Sequence, residues 1–291
     1  MLKIFVFCAI LCSVLSISNA QGDIAAMSVN GADVEKVPET AELAPSLLLE
    51  SVIKGDLQGI ESALEAGESI DLVNDNGFSA AMFTVVNGDM RTLSFLIEKG
   101  IDLNNPENNG VTPLMMAASQ GDKEMVEILL DGNASPLAVA NDGSTAYSQA
   151  IASGRKLVAM MIAEAAALHS IEGQNMASLL ESLANGAYVN IRNPAGWTPL
   201  IYATSIGNKE AVKAIIDMGA DCNRSENDGW TALHFAASGG YEEIADLLLK
   251  ANINPGIKNV AGKVAKTLAK ELNFPKVVDL IPDTPDTDEE L

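Results

Sequence analysis

Acid–base, nucleophilic and metal chemistry each need particular side chains gathered in one place. Beyond the first twenty residues the less common candidates are His169, His234 and Cys222. Cys222 lies in Gly219-Ala-Asp-Cys-Asn223 with no histidine nearby in sequence, so nothing local would hold its thiol as a nucleophilic thiolate. No His or Cys residues have metal-ligand spacing. The acidic residues Asp75, Glu107 and Asp228 recur singly on polar segments, as solvated turns do, without the dense carboxylate loop that calcium requires. These observations point away from an enzyme and imply no cofactor and no metal. The clearest recognition chemistry belongs to Trp197 and Trp230, the only two tryptophans, which share one sequence context at successive positions of a regular spacing. Aromatic side chains are favoured anchors of protein interfaces.

Those residues need a scaffold, and the composition supplies one. With 48% hydrophobic residues in 291, the chain can bury a continuous core, and the low aromatic fraction of 4% beside abundant Ala, Leu, Ile and Met suits short, closely packed helices. The formal charge of −21 argues against nucleic acid or anionic lipid as a partner and favours a basic one, although it also serves simple solubility. The first twenty residues differ from the rest. Lys3, an uncharged apolar run from Ile4 to Ile17, and Ser18-Asn19-Ala20 match the three parts of a secretory signal peptide, with cleavage expected after Ala20. The apolar run is shorter than the roughly 20 residues that cross a bilayer, and no membrane insertion is expected after cleavage. Cys8 and Cys12 would leave with this segment, so Cys222 would remain as a lone thiol, either shielded or open to intermolecular pairing.

Self-similarity organises the rest of the chain. Glycine recurs at Gly77, Gly110, Gly143, Gly196, Gly229 and Gly262, in steps of 33, 33, 53, 33 and 33. Eleven positions after each of the first five stands another, at Gly88, Gly121, Gly154, Gly207 and Gly240, and Gly55 extends that series upstream. Between paired glycines the pattern predicts a short helix, as in Gly110-Val-Thr-Pro-Leu-Met-Met-Ala-Ala-Ser-Gln-Gly121: Thr caps it, Pro opens it, and paired alanines let neighbouring helices approach. A second helix succeeds it, with apolar residues at helical spacing such as Met125, Val126, Leu129 and Leu130. It stops at Gly67, Gly100, Gly186 or Gly219, where a left-handed conformation costs nothing sterically.

A 33-residue unit of helix, turn, helix and loop, carrying Thr198-Pro199-Leu200 and Thr231-Ala232-Leu233-His234, resembles the ankyrin repeat. The resemblance implies an all-α ankyrin-repeat solenoid of paired antiparallel helices with protruding loops, about seven to eight units, one of them degenerate. It implies that His234 orders the loops by hydrogen bonding, with His169 in a similar role. It also implies that the residue after each opening glycine projects toward a concave binding face. Those residues are Phe78, Val111, Ser144, Trp197, Trp230 and Lys263. Candidate partner-binding residues are therefore Trp197, Trp230, Phe78 and Val111, with loop residues Asn108, Asn109, Asn227 and Asp228 and helix residues Ser205 and Ile206 completing the surface. A competing role for each tryptophan is to stiffen the array by packing on its neighbouring loop. Phe83, Met116, Tyr202 and Phe235, one residue before the alanine pair, are assigned to the core. The function implied is that of a monomeric protein–protein interaction scaffold; the alternative is an acidic structural or chaperone-like protein that holds basic clients by charge.

The chain divides into a signal peptide at 1–20, a disordered linker at 21–43, repeats at 44–282 and an acidic tail at 283–291. A weak first unit with helices at 46–54 and 57–66 and a shortened last unit from Gly262 to Ile281 would cap the stack. The 53-residue step falls 13 short of two periods, so one loop is deleted. In the degenerate unit at 163–195, Ala163–Glu172 comes directly after Arg155–Ile162. That predicts a long or kinked helix through Ala163–Ala167 which bends the stack and divides its binding face. The terminal Asp-Glu-Glu-Leu291 is similar to an endoplasmic reticulum retrieval signal, and equally an acidic tail; secretion, retention or a bacterial periplasm all stay open. Asn223 and Asn133 begin glycosylation sequons, the latter weakened by Pro136.

Overall fold

The computed structural model describes residues 46–283; the segments expected to be a signal peptide (1–20), a linker (21–43) and an acidic tail lie outside the described residues, apart from Asp283. Among these, fifteen α-helices form and no strand does, apart from isolated bridges such as Val73 with Ser79. The pairs are α1 (Leu47–Lys54) with α2 (Leu57–Glu65), α3 (Ala80–Asn87) with α4 (Met90–Glu98), and α5 (Pro113–Gln120) with α6 (Lys123–Asp131). Then come α7 (Ala146–Ala152), the long α8 (Lys156–Glu172) and α9 (Met176–Ala184). The remaining pairs are α10 (Pro199–Ser205) with α11 (Lys209–Asp217), α12 (Ala232–Gly239) with α13 (Glu242–Lys250), and α14 (Ala265–Glu271) with α15 (Pro275–Leu280). This is the paired-helix solenoid expected from the period, with eight units if α8 serves two of them.

Local chemistry sets the helix ends. In every pair but the last, the first helix starts at a hydroxyl: for example, Ser79 Oγ accepts from Met82 N, Thr112 Oγ1 from Met115 N and Thr198 Oγ1 from Ile201 N. Several second helices start at a short acid or amide, with Asp122 Oδ1 accepting from Met125 N and Asn208 Oδ1 from Ala211 N. Each such cap satisfies a backbone donor that the helix itself cannot, for about 1 kcal/mol. Pro113 and Pro199 occupy first-turn positions where no N–H is needed. Left-handed residues close the second helices, at Gly67, Gly100, Gly186 and Gly219 and, where glycine is absent, at Asn133 and Asn252.

Packing derives from the alanine pairs. Ala117, Ala118, Ala236 and Ala237 are fully buried, and first helices stack on first helices (α3 on α5 on α7, α10 on α12 on α14) while second helices stack on second helices. The apolar core is nonetheless two clusters. One runs from Leu48 to Ile162 and the other from Ala163 to Ile281, so the division falls inside α8. That helix is unbroken over 17 residues, as expected for the deleted loop. Its buried residues are Val158, Ala159, Ile162, Ala163, Ala166, Ala167, Ser170 and Ile171. Pairs spaced by four advance about 40° per step around the helix, so the stripe winds by about 120° from its first pair to its last. One end of α8 thus acts as a second helix for the preceding core and the other as a first helix for the next one. Tyr147 packs against both cores.

Hydrogen bonds between neighbouring loops run in two rows. At the turn tips, Asn108 N donates to Asn76 O (3.2 Å), Asn141 N to Asn109 O (2.9 Å), Asn227 N to Ala195 O (3.2 Å) and Val260 N to Asp228 O (2.9 Å). Lower down, Asp102 N donates to Asp71 Oδ1 (2.8 Å), Ser135 N to Asn104 Oδ1 (2.6 Å), Asp221 N to Asn190 Oδ1 (2.8 Å) and Asn254 N to Asn223 Oδ1 (2.6 Å). Both rows stop between the loop at 132–145 and the loop at 185–198, where the intervening loop is missing.

Candidate partner-binding surface

The turn that presents each candidate residue is held by the side chain three positions before its glycine. Glu226 Oε1 accepts from Asp228 N (3.0 Å) and Trp230 N (2.9 Å), and Asn193 Oδ1 accepts from Trp197 N (2.9 Å). Glu107 does the same for Asn109 N (2.9 Å) and Val111 N (3.2 Å), and Asn74 for Asn76 N and Phe78 N. Glu107 and Glu226 are therefore buried clasps, which corrects the reading of Glu107 as a solvated turn residue. A carboxylate accepting backbone N–H groups keeps its charge satisfied out of water. Ala140 occupies the same position before Gly143 and supplies no acceptor; there Asp142 Oδ1 holds Ser144 N at 2.8 Å. Glycine at the turn is required sterically. At Gly196 φ is +85° and a Cβ would sit 2.7 Å from Asn227 Oδ1.

Trp197 and Trp230 are both half-buried, and one ring joins them. Phe235 lies with its centroid 5.1 Å from Trp197 and 5.2 Å from Trp230, tilted 48° to each. Tilted pairs at this separation are favourable beyond the area they bury. His234, fully buried, secures the base of the cluster: its Nδ1 accepts from Thr231 N (3.1 Å) and its Nε2 bonds Lys263 O (3.0 Å), tying one loop to the next. Burial pushes its pKa below the ordinary 6.5, so the ring is neutral, with Nε2–H as donor. Its ring centroid is 6.0 Å from that of Trp230. The structural role expected of His234 is observed, whereas His169 is exposed in the last turn of α8 and orders no loop.

The repeat pattern assigns Phe235 to the core along with Phe83, Met116 and Tyr202, yet only Tyr202 is buried and the other three are half-exposed. The buried place goes to the preceding residue in each unit, Met82, Met115, Ile201 and His234. One residue turns a helix by about 100°, which carries the next side chain to the rim of the buried face. The recurrence of this stripe from unit to unit is visible in the sequence; its exposure is not.

The other candidates fall into separate groups. Phe78 packs on Phe83 at 5.8 Å, and Val111 and Met116 lie against the first core, away from the tryptophans. Between the two groups stand Ser144 and Gln149, hydrogen-bonded to each other at 3.1 Å, so the row of apolar residues is interrupted by a polar pair. Asn108 and Asn227 are exposed but engaged: their side-chain amides donate to Asp75 O and Pro194 O of the preceding turn. Asn109 is held by Glu107, and Asp228 by Glu226 and Val260. Ser205 Oγ donates to Tyr202 O, and Ile206 is exposed; both lie at the far end of α10, roughly 10 Å along the helix from Trp197. Asn223 and Asn133 are exposed, with Asn223 Oδ1 occupied by Asn254 N. Cys222 is buried, and burial first, then the Asp221 charge, pushes its thiol pKa up, the opposite of activation. Among the described residues no group of His, Cys, Asp and Glu could hold a metal ion, and no helix is long and apolar enough to cross a membrane.

Stacked helix pairs with turns joined edge to edge define a repeat solenoid. The family model described as "Ankyrin repeats (3 copies)" matches residues 48–139, 108–171 and 165–259, and the chain belongs to the ankyrin-repeat family. Proteins of this family bind other proteins and are typically not enzymes. Among curated proteins, the chain is 36% identical over 83 residues to "Ankyrin repeat, SAM and basic leucine zipper domain-containing protein 1" of Ornithorhynchus anatinus; the match covers 27% of this chain and 18% of the relative's length. Among solved structures, the ankyrin repeat domain of Bcl-3, described as a member of the IkappaB family, matches at 20% identity and a TM-score of 0.36. It covers 80% of this chain and 96% of that one. The human ASB11 ankyrin repeat domain matches at 23% identity and a TM-score of 0.38, over 83% and 99% of the two chains.

Proposed function

We infer that the protein is an interaction scaffold of the secretory or extracytoplasmic space, docking a partner protein on the face formed by Trp197, Phe235 and Trp230. The observation that carries this reading is the three-ring cluster, half-buried and presented by two clasped turns. Each indole is pre-ordered before a partner arrives, which lowers the entropic cost of binding. Large aromatic residues in such settings are the usual centres of binding energy. The test is partner capture by Trp197→Ala and Trp230→Ala, singly and together. The expected outcome is a loss of affinity of at least about 2 kcal/mol for the double variant while it still melts cooperatively. Undiminished capture would refute the docking face; a collapsed melting transition would assign the rings to array stiffening. For the compartment, sequencing the amino terminus of the protein made in a secreting cell should find Gln21 first.

The charge distribution favours one second reading, in which basic clients are held with little shape specificity. Residues 46–162 carry sixteen carboxylates against six Lys and Arg, a one-sided field well apart from the tryptophans. Titrating salt separates the readings: a complex that dissolves by about 0.3 M ionic strength is held by charge, one that persists is held by the aromatic face.

A further inference from the structure

The fourth unit has an uncovered side in the middle of the array. In the other units that have a successor of ordinary length, the residue eight after the turn glycine is fully buried: Val85, Ala118, Thr204 and Ala237. In the last unit it is exposed Lys270, so this position faces the next unit along. Its equivalent in the fourth unit is Ile151, which is 48% exposed. Five after the glycine, Met82, Met115, Ile201 and His234 are buried while Ser148 is exposed. The turn repeats the pattern. A Cβ on Gly77, Gly110, Gly196 or Gly229 would strike the next turn at 2.7–3.0 Å, whereas one on Gly143 would meet nothing within 4 Å.

The backbone hydrogen bonds at the turn tips all run one way, although side chains such as Arg192 and His234 also donate forward, to Ser225 O and Lys263 O. Wherever a successor turn is present, an Asn or Val N–H bonds a carbonyl of the turn before it, and three times an Asn side-chain amide bonds the adjacent carbonyl. In the fourth turn the corresponding acceptors are Asp142 O and Asn141 O, and no protein group among the described residues donates to them. Across the gap, the position that would donate is Pro194, which has no N–H. In the lower row the acceptor position is Leu137. Proline at an edge is a familiar way of silencing it. The gap therefore cannot close on itself by these bonds, and the two carbonyls at its tip edge stay open.

We propose that the strip formed by Asn141, Asp142, Gly143, Ser148 and Ile151 docks a turn-and-helix segment of a partner protein that supplies what the deleted loop would have supplied. The segment presents a backbone N–H and a neighbouring side-chain amide to Asp142 O and Asn141 O, and a small apolar residue to Ile151. The occupant is defined by the structure itself, because segments of that form cover the equivalent side of the neighbouring units. This surface is distinct from the tryptophan face.

The probe is a synthetic peptide of residues 105–121, which contains such a tip, the Thr112 cap and the helix after it. The full chain carries Ile151→Cys labelled with an environment-sensitive dye; the native Cys222 is buried. Saturable change of dye emission with peptide, without change of tryptophan emission, is expected. A peptide with Asn108→Pro, which lacks both donors, should bind about tenfold more weakly. Inserting a copy of residues 132–144 between Ile162 and Ala163 should fill the strip and abolish the response. No response to peptide, equal binding of the proline peptide, or a response that survives the insertion in a folded variant overturns the proposal. So does a dye response that saturates with protein concentration alone, which would assign the strip to a second copy.

Discussion

Residues 46–162 and 163–283 are built from the same helix pair and share one helix, yet they distribute charge and aromatic rings differently. The first block has sixteen carboxylates to six basic residues and no tryptophan; the second has fourteen to ten and both tryptophans. Each has its own core and its own unbroken rows of loop-to-loop hydrogen bonds. A repeat fixes what touches the neighbouring unit and leaves the exposed positions free, so adjacent stretches of one solenoid can acquire unrelated surfaces. On the proposed readings, long-range attraction and aromatic docking would reside in different blocks. The deleted loop is what lets the blocks be told apart physically, because α8 and Tyr147 bridge where two loops would otherwise meet.

The largest expected effect comes from breaking one core and watching the other. Leu129→Ala and Ile215→Ala each empty a fully buried site, one per block, at a cost of about 2–5 kcal/mol. Tryptophan emission reports on the second block alone, and far-ultraviolet circular dichroism on both. Leu129→Ala should move the dichroism transition and leave the tryptophan transition in place, while Ile215→Ala should move the latter. Equal shifts of both signals by Leu129→Ala would mean that the blocks melt as one.

A smaller effect tests the turns. Glu226→Ala removes the acceptor for two backbone donors and should cost the second block about 1–3 kcal/mol, with Glu226→Gln milder because an amide oxygen still accepts. Glu107→Ala should act in dichroism but not in tryptophan emission; identical behaviour of the two variants would contradict the separation. Smaller again, and of opposite sign, is Thr204→Val. The Thr204 hydroxyl is buried without a partner, and replacing it with a methyl group should stabilise the second block by about 1 kcal/mol in denaturant melts.

The mildest effect is set by pH. His234 is neutral in the fold and its pKa lies below 6.5, so the unfolded chain binds the extra proton. Its contribution is complete above about pH 6.5 and declines as pH falls from there toward the folded-state value. Glu68, whose carboxylate is held down first by the Ser46 hydroxyl, has the same sign in a lower window: its contribution is present above 4.5 and is lost only as pH falls below that. Tryptophan-detected melts between about pH 7.5 and 5.5 should therefore slope in the parent and flatten in His234→Gln. A slope unchanged in the variant would place the titrating group elsewhere.

Much of the fold was legible because a repeat states its packing rule several times. The glycine registers, the Thr-Pro-Leu openings and the irregular 53-residue third step lead directly to fifteen helices and to α8. Part of the surface was legible too: the tryptophan positions come straight from the register. Phe235 was not, because the rotation between a buried and a rim position is finer than an apolar label can express. Glu107 and Glu226 look like ordinary loop acids, since nothing in a sequence says that two backbone N–H groups converge on one carboxylate. Pro194 and Leu137 were readable departures at positions that otherwise donate or accept, once the ladder that uses those positions is known.

The unit, its period, its caps and the point where a loop was lost are written in the residues themselves, because each rests on contacts within one or two repeats. Folding in three dimensions was needed to divide the core at Ile162 and Ala163, to join two tryptophans through one phenylalanine, and to leave the fourth unit with an open side. Those outcomes depend on which faces neighbouring units present to each other, and a helix carrying buried residues along a winding stripe can turn one face to one core and another to the next.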